Sequence, residues 1–246
     1  MNLMAGMRWL AVAVLACAAL LSAGDKKDKP KQAEKLVDSG SFGVFVKGQR
    51  VVTETFSVQQ DNGVSVVKSQ LKEVGGSGSS GQKSELQMTG EDLIRYEWSD
   101  GSGSLVVTPD NEFLREKITT SASSKPAEQP YLMPSKTAIL DNNFFVQREV
   151  LLWRYLATAP CHDETGGRQC QPADFGALVP QDRTSMPVRV ELVGREKVTI
   201  RGTQLDLLRL NLKGDEFSWA LWVDDKDHFK LMRVLIADAN TEVVRD

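Results

Sequence analysis

Residues 51–67 read VVTETFSVQQDNGVSVV, and this stretch decides the fold class of the chain. From Val52 to Val58, alternate positions carry apolar side chains and one glutamate on one face, with threonine or serine on the other. This period of two is typical of a strand with one buried face. Asp61-Asn62-Gly63 then predicts a hairpin turn, because Asn and Gly tolerate the positive φ that tight turns require. The stretch therefore predicts two antiparallel strands.

The same alternation recurs from Phe42 onward, in short segments separated by turn-forming residues. About a dozen strands are predicted, without the regular alternation of strands and helices that indicates a parallel sheet. We therefore expect a mostly β fold, in which a strongly curved antiparallel sheet (a half-barrel or barrel) carries one packed helix. The Pro-containing stretch 120–135 is predicted to be a connector, and the GGSGSSG stretch (75–81) a flexible loop.

One amphipathic helix is predicted over Phe144–Ala159, which reads FFVQREVLLWRYLATA. Its apolar residues recur at helical spacing, and no turn former interrupts them. Asn142 or Asn143 is expected to cap its start, and Pro160 to end it. Arg148 falls on the apolar stripe, either as a side chain that reaches solvent from the stripe's edge or as an anion-binding group.

The composition is that of an ordinary globular chain: 246 residues, 41% of them hydrophobic, and a formal charge of −3. These values exclude a collagen-like, wholly disordered or multi-span membrane protein. The net charge is slightly negative, whereas proteins that bind nucleic acid usually carry a basic surface, so no nucleic-acid partner is expected.

The N-terminus is predicted to be an export signal over residues 1–24, with an apolar core at Trp9–Leu21 and small residues before Asp25. Residues 25–41 are then expected to form a disordered tether, and residues 42–246 a single β-rich domain. The mature protein would be periplasmic or extracellular. Two alternatives are an uncleaved anchor and a degenerate lipobox ending at Cys17, whose acyl chain would give the only membrane contact.

Cys161 and Cys170 lie nine positions apart, around a polar segment that contains two glycines. In an exported chain this spacing favours a disulfide that pins a surface loop. The alternative is a zinc site from Cys161, His162, Asp163 and Cys170. Adjacent side chains rarely converge on one ion, and no second ligand cluster is visible, so no metal and no cofactor is predicted.

No catalytic residue is predicted, because the common catalytic motifs are missing. The sequence contains no nucleophile elbow, no phosphate-binding loop and no H-E-x-x-H pair. The two histidines, His162 and His228, fall on a cysteine loop and beside a turn, which are unusual places for an oriented base. An enzyme using Glu54 or His162 is kept as the third interpretation.

Five residues are predicted to contact a ligand: Glu54, Phe56, Trp98, Arg148 and Trp219. Glu54 shares a strand face with apolar residues, where an unpaired carboxylate is costly. It is explained by an ion pair with Arg95, Arg209 or Arg233, by a place at the barrel mouth, or by a ligand. The three aromatic residues would line a cavity inside the curved sheet, or would fill it as plain core.

Several segments resemble exported bacterial β-rich domains of unknown function: SGSFGVFVKGQRVVTETFSV (39–58), SELQM, LIRYEW, LDNNFFVQREVLLWRY (140–155), LVPQ (178–181) and LWVDDKDHFKLMRVLI (221–236). Related segments are similar to the β-domain that precedes the catalytic domain of some secreted α/β-hydrolases. The chain ends at Asp246 without such a catalytic domain, so a hydrolase label is not expected to apply. The strands and covering helix also resemble, loosely, the half-barrel of LolA-like lipoprotein carriers. That likeness implies binding of a lipid or lipid-modified partner.

These observations favour a non-catalytic exported protein that binds an apolar ligand or an envelope protein between the sheet and the helix. The second interpretation is a scaffold or accessory protein with a filled core, acting through its surface.

Overall fold

The computed structural model describes residues 35–75, 81–122, 125–164 and 167–246, all within one compact unit. Over these ranges the chain forms 17 strands, one α-helix (α1, Val146–Thr158) and a short 3₁₀ helix at Pro180–Asp182. The strands are β1 Lys35–Val46, β2 Gln49–Asp61, β3 Val64–Glu73, β4 Lys83–Thr89, β5 Asp92–Ser99, β6 Gly103–Asp110, β7 Phe113–Thr120, β8 Ala127–Tyr131, β9 Ala138–Ile139, β10 Cys161–Glu164, β11 Gly167–Cys170, β12 Ala173–Val179, β13 Thr184–Ile200, β14 Thr203–Lys213, β15 Ser218–Asp224, β16 Lys230–Ile236 and β17 Thr241–Arg245.

Fifteen strands form one sheet in the order β8-β7-β6-β5-β4-β3-β2-β1-β17-β16-β15-β14-β13-β12-β9. All neighbours are antiparallel except β9, which runs parallel to β12. The pairing of β1 with β17 joins the half built from β1–β8 to the half built from β12–β17, with Phe42 opposite Arg245. The predicted hairpin is confirmed, since Asn62 and Gly63 adopt φ of 49° and 82° between β2 and β3.

The sheet is strongly curved, and its two edges come near each other. Only residues 132–137 connect β8, at one edge, to β9, at the other. Such a segment spans at most about 25 Å. Its Ser135 carbonyl accepts a hydrogen bond from the Leu93 amide (2.8 Å), which ties the segment to the start of β5. The curved open sheet with one packed helix confirms the predicted fold class.

Helix α1 lies inside the curve, and its buried residues share one core with residues of both halves of the sheet. It begins two residues later than predicted and ends at Thr158. Neither predicted asparagine caps it: Phe145 is the N-cap residue and provides no side-chain bond. The Asn143 amide group instead donates to Gln82 (2.9 Å), and that of Asn142 to Asp182.

Strands also form where the sequence predicts loops. β8 runs through the predicted Pro-containing connector and lies at the edge of the sheet, where the missing N–H of Pro130 is tolerated. β10 and β11 form within the predicted cysteine loop, and the predicted disulfide Cys161–Cys170 joins them directly across the hairpin.

The predicted tether is wrong for residues 35–41, which belong to β1 and pair with β2. Asp38 in this stretch is buried, which ties the strand to the interior. The predicted signal, the Cys17 lipobox, the rest of the tether and most of the GGSGSSG loop lie outside the described residues. Within the described ranges no helix is long and apolar enough to cross a membrane.

Candidate functional site

Glu54 of β2 caps the start of α1, although 91 residues separate it from Phe145. Its Oε2 accepts the Phe145 amide (2.6 Å), and its Oε1 accepts the Val146 amide (3.3 Å) and the Ser69 hydroxyl (2.7 Å). The first amides of a helix have no partner inside the helix and carry its positive dipole end, so a carboxylate suits this place. Full burial raises the pKa of Glu54 to about 7, against the lowering effect of these hydrogen bonds and of Arg148.

The ion pairs expected for Glu54 do not form. Arg95 bonds Glu97, Arg209 lies 3.5 Å from Glu196, and Arg233 lies 2.6 Å from Glu242. The barrel-mouth explanation is also wrong, because Glu54 is fully buried. The glutamate is explained by the helix that it caps.

Arg148 is buried on the inner side of α1, with 1% of its surface exposed, so the prediction that it reaches solvent is wrong. Its Nη1 donates to the Phe144 carbonyl (2.7 Å) and to the Asp141 carbonyl, and its guanidinium lies 5.1 Å from the Trp219 ring centre. Burial lowers the pKa of Arg148 to about 10. The arginine thus completes the polar cluster that fixes the helix start.

Three further residues of this cluster were not predicted: Tyr96, Asp141 and Gln147. The Tyr96 hydroxyl donates to the Asp141 carboxylate, and Gln147 Oε1 accepts the Asp141 amide (2.6 Å). Burial raises the pKa of both Tyr96 and Asp141. In the sequence Asp141 precedes two asparagines and is typical of a segment that caps a helix. Its role in the cluster could not be predicted, because its partners lie on other elements.

A second buried cluster attaches the other side of α1 through Glu149. Arg245 of β17 lies 3.1 Å from Glu149 and 2.6 Å from Asp38 of β1. The Leu231 amide also donates to Glu149 (3.0 Å), and Lys230 lies 3.7 Å from Asp38. Burial raises the pKa of Glu149 to about 8, against the effect of Arg245. The helix is therefore anchored to both halves of the sheet by carboxylates.

The three predicted aromatic residues do not line one cavity together. Phe56 stacks on Phe42 with ring centres 5.0 Å apart and lies under Arg245. Trp219 packs under Arg148, and Trp98 donates to Gln82 (3.2 Å). Of the five predicted ligand residues, the structure brings Glu54, Arg148 and Trp219 together around the helix start, as packing partners.

An apolar cleft of about 370 Å³ lies between α1 and the sheet, beside these clusters. Its walls come from β4, β9 and one face of the helix, and none of the five predicted residues lines it. Its main apolar lining is Leu86, Met88, Ile139, Val150, Leu151 and Trp153. The volume falls within the roughly 300–1,000 Å³ of small-molecule sites.

The two largest polar side chains that the helix contributes to this cleft are Gln147 and Arg154. Gln147 lies at the buried start of α1, and its Nε2 meets no acceptor in hydrogen-bonding geometry. Arg154, two turns further on, donates from Nη1 to the Lys136 carbonyl and stacks 5.1 Å over the Phe175 ring. Its Nη2 lies 3.9 Å from the Glu91 carboxylate, which also borders the cleft.

A larger groove of about 600 Å³ crosses the sheet over β2–β6, and Phe56 and Trp98 both border it. Phe56 contributes little side-chain surface, since it is 4% exposed. Most of the lining consists of the polar residues that alternate with the buried ones, and its charges are largely paired, as in Arg95–Glu97 and Lys68–Glu85. The smaller apolar cleft is therefore the better candidate site for an apolar ligand.

The titratable cluster at the helix start is enclosed, and the cleft is lined mainly by hydrocarbon side chains. No group of His, Cys, Asp and Glu in the described ranges is arranged to hold a metal ion. His228 is 88% exposed beside Asp227, as expected for a residue of a turn.

Comparisons with known proteins identify no relative: no family model, no curated protein and no solved structure matches the chain.

Proposed function

We propose that the protein is a non-catalytic exported protein that binds an apolar ligand, a lipid or the acyl chain of a lipid-modified envelope partner, in the cleft between α1 and the sheet. The observation that carries the proposal is the cleft itself. Met88, Val150 and Trp153 are only partly buried in it, and apolar surface that stays in contact with water is unfavourable unless something covers it.

The anchoring of the helix supports this proposal. Glu54 at its start and Glu149 on its other side fix α1 against the sheet. These contacts fix the position of the helix face with Val150 and Leu151, which lines the cleft together with Leu86 and Met88 of β4. Preformed sites of this kind bind ligands without first paying for a conformational change.

Export is the location proposed for this function, in the periplasm or outside the cell, either free or anchored through Cys17. The disulfide Cys161–Cys170 is compatible with export, because disulfides persist in oxidising compartments. The loose resemblance to LolA-like carriers points in the same direction.

The proposal is tested by native mass spectrometry of the protein purified from its own envelope, with organic extraction of any bound molecule. A lipid mass that is released on extraction supports the proposal. The same experiment on Ala138→Phe, which fills the cleft, should give the apo mass, whereas Ala239→Phe, in an exposed turn, should keep the ligand. An apo mass for the natural protein, together with no binding of the neutral dye Nile red, would refute it.

A second candidate function is a surface interaction at the β8 edge of the sheet. Phe113 and Leu132 are 44% and 77% exposed, and they flank the Leu114–Tyr131 pair of β7 and β8. Exposed apolar side chains beside an unpaired edge are typical of interaction surfaces. Loss of partner binding in Leu132→Ser, with Nile red binding retained, would favour this function over the first.

A further inference from the structure

Some polar atoms of the residues that line the cleft have a partner, and others do not. Within the described residues, Nε2 of Gln147 and Nε of Arg154 are buried and lack a hydrogen-bond partner. The Glu91 carboxylate, in contrast, lies 3.2 Å from Lys136. Both atoms are closed off from the cleft, whereas the Arg154 side chain as a whole is 18% exposed, so its guanidinium is a donor that the acceptor oxygens of a ligand can reach.

The positive charge of Arg154 is incompletely neutralised. Its nearest carboxylate oxygen, on Glu91, is 3.9 Å away and is shared with Lys136, which lies closer. Asp92, the next residue, accepts the Ser135 hydroxyl (2.6 Å) and does not line the cleft. The Lys136 carbonyl and the Phe175 ring fix the guanidinium in place, so its position does not depend on Glu91.

The helix arranges these groups along one line. Gln147, Val150, Leu151 and Arg154 share a helix face, and about 10 Å separates the first from the last along the axis. Gln147 lies at the buried end, whereas the Arg154 side chain is 18% exposed. A molecule lying along this face would have its chain against Val150 and Leu151 and its solvated end at Arg154.

We propose that the ligand is a single-chain amphiphile with an anionic head group, and that Arg154 binds the head while the chain occupies the apolar part of the cleft. This rests on the proposed function and adds the ligand class and its orientation. A free fatty acid and a lipid with an anionic head share the recognised chemistry.

The test compares dodecanoate, dodecanol and dodecylamine as competitors of Nile red at low salt. We expect dodecanoate to bind about tenfold more tightly than dodecanol, since a charge-assisted hydrogen bond is gained. Arg154→Met keeps the length of the stem and removes the charge, so dodecanoate should lose this advantage while dodecanol binds as before. Arg189→Met, an exposed arginine on β13, is the matched control and should behave like the natural protein.

The other outcomes separate the two proposals. Equal affinities for dodecanoate and dodecanol would overturn the anionic head while leaving the proposed function in place. Tightest binding of dodecylamine would also overturn it, because the Glu91 carboxylate would then be the group that binds the head. A preference for dodecanoate that persists in Arg154→Met would show that a group other than Arg154 binds the head.

Failure of Nile red and all three compounds to bind would refute the proposed function itself. If dodecanoate binds most tightly, the single-chain lipid oleoyl lysophosphatidylglycerol compared with oleate in the same assay distinguishes a lipid from the free acid.

Discussion

At the scale of single residues, Glu54 fixes the start of α1, because its carboxylate accepts the amides of the N-cap residue and of the first helical residue, and one hydroxyl. In Glu54→Ala these three donors stay buried without acceptors, at about 1–3 kcal/mol each, but the desolvation cost of the buried carboxyl group is also removed. We expect the free energy of unfolding in urea to fall by about 2–4 kcal/mol. Glu73→Ala, at an exposed position of the neighbouring strand, should change it by no more than about 0.5 kcal/mol. Equal effects of the two substitutions would contradict the cap.

The same residue makes stability depend on pH. The pKa of Glu54 in the folded protein is about 7, against an ordinary value of 4.5, so the folded state holds a proton that the unfolded state has released. Its contribution is complete below pH 4.5 and is lost as the pH rises through 7. Glu149, with a pKa of about 8, acts in the same direction, and so do Asp141 and Glu116, whose pKa values are also raised.

We therefore expect the free energy of unfolding to decrease from mildly acidic to mildly alkaline pH. Glu54 should account for at most about 3 kcal/mol of this decrease. Urea unfolding at a series of pH values measures this slope. Glu54→Gln, which cannot titrate, should flatten it below pH 7. An unchanged slope in this variant would show that other groups cause the dependence.

At the scale of elements, the sequence predicts the features that depend on residues close together in the chain. The Asn62-Gly63 turn, the helical stripe and the cysteine pair depend on spacings within about one element, and the structure confirms all three. The helix cap joins residues 91 positions apart, and the two Arg245 pairs join residues 96 and 207 positions apart, which no local pattern reveals. A ligand site between the sheet and the helix was expected, but the residues that line the cleft were missed for the same reason: Met88 and Trp153 border one cleft only when β4 and α1 pack together.

The hairpin of β10 and β11 gives a prediction at this scale. It forms its own two-stranded sheet, closed by the disulfide Cys161–Cys170. Replacing both cysteines by serine should lower the free energy of unfolding by at most about 2.5 kcal/mol, the loop-closure contribution of so short a loop. Nile red binding should be unchanged, because neither strand lines the cleft. Loss of dye binding in this variant would connect the hairpin to the site.

At the scale of the whole molecule, Arg245 connects the first strand, the last strand and the helix. Its two pairs, with Asp38 and with Glu149, are almost fully buried. Arg245→Met leaves both carboxylates without their main partner, and we expect a loss of about 3–5 kcal/mol in the free energy of unfolding. Adding Asp38→Asn and Glu149→Gln should recover part of it, which a purely steric defect would not allow. Thermal unfolding of the single and triple variants measures both effects.

The pairing of β1 with β17 also has a consequence for biosynthesis. Asp38 and Arg245 are 207 residues apart, so a chain made from its N-terminus holds two acidic side chains long before their cation is translated. Until then, burying β1 beside the helix is electrostatically unfavourable. Assembly of this region should therefore wait until Arg245 has been translated, and β1 should stay exposed to chaperones and proteases in nascent chains that lack it.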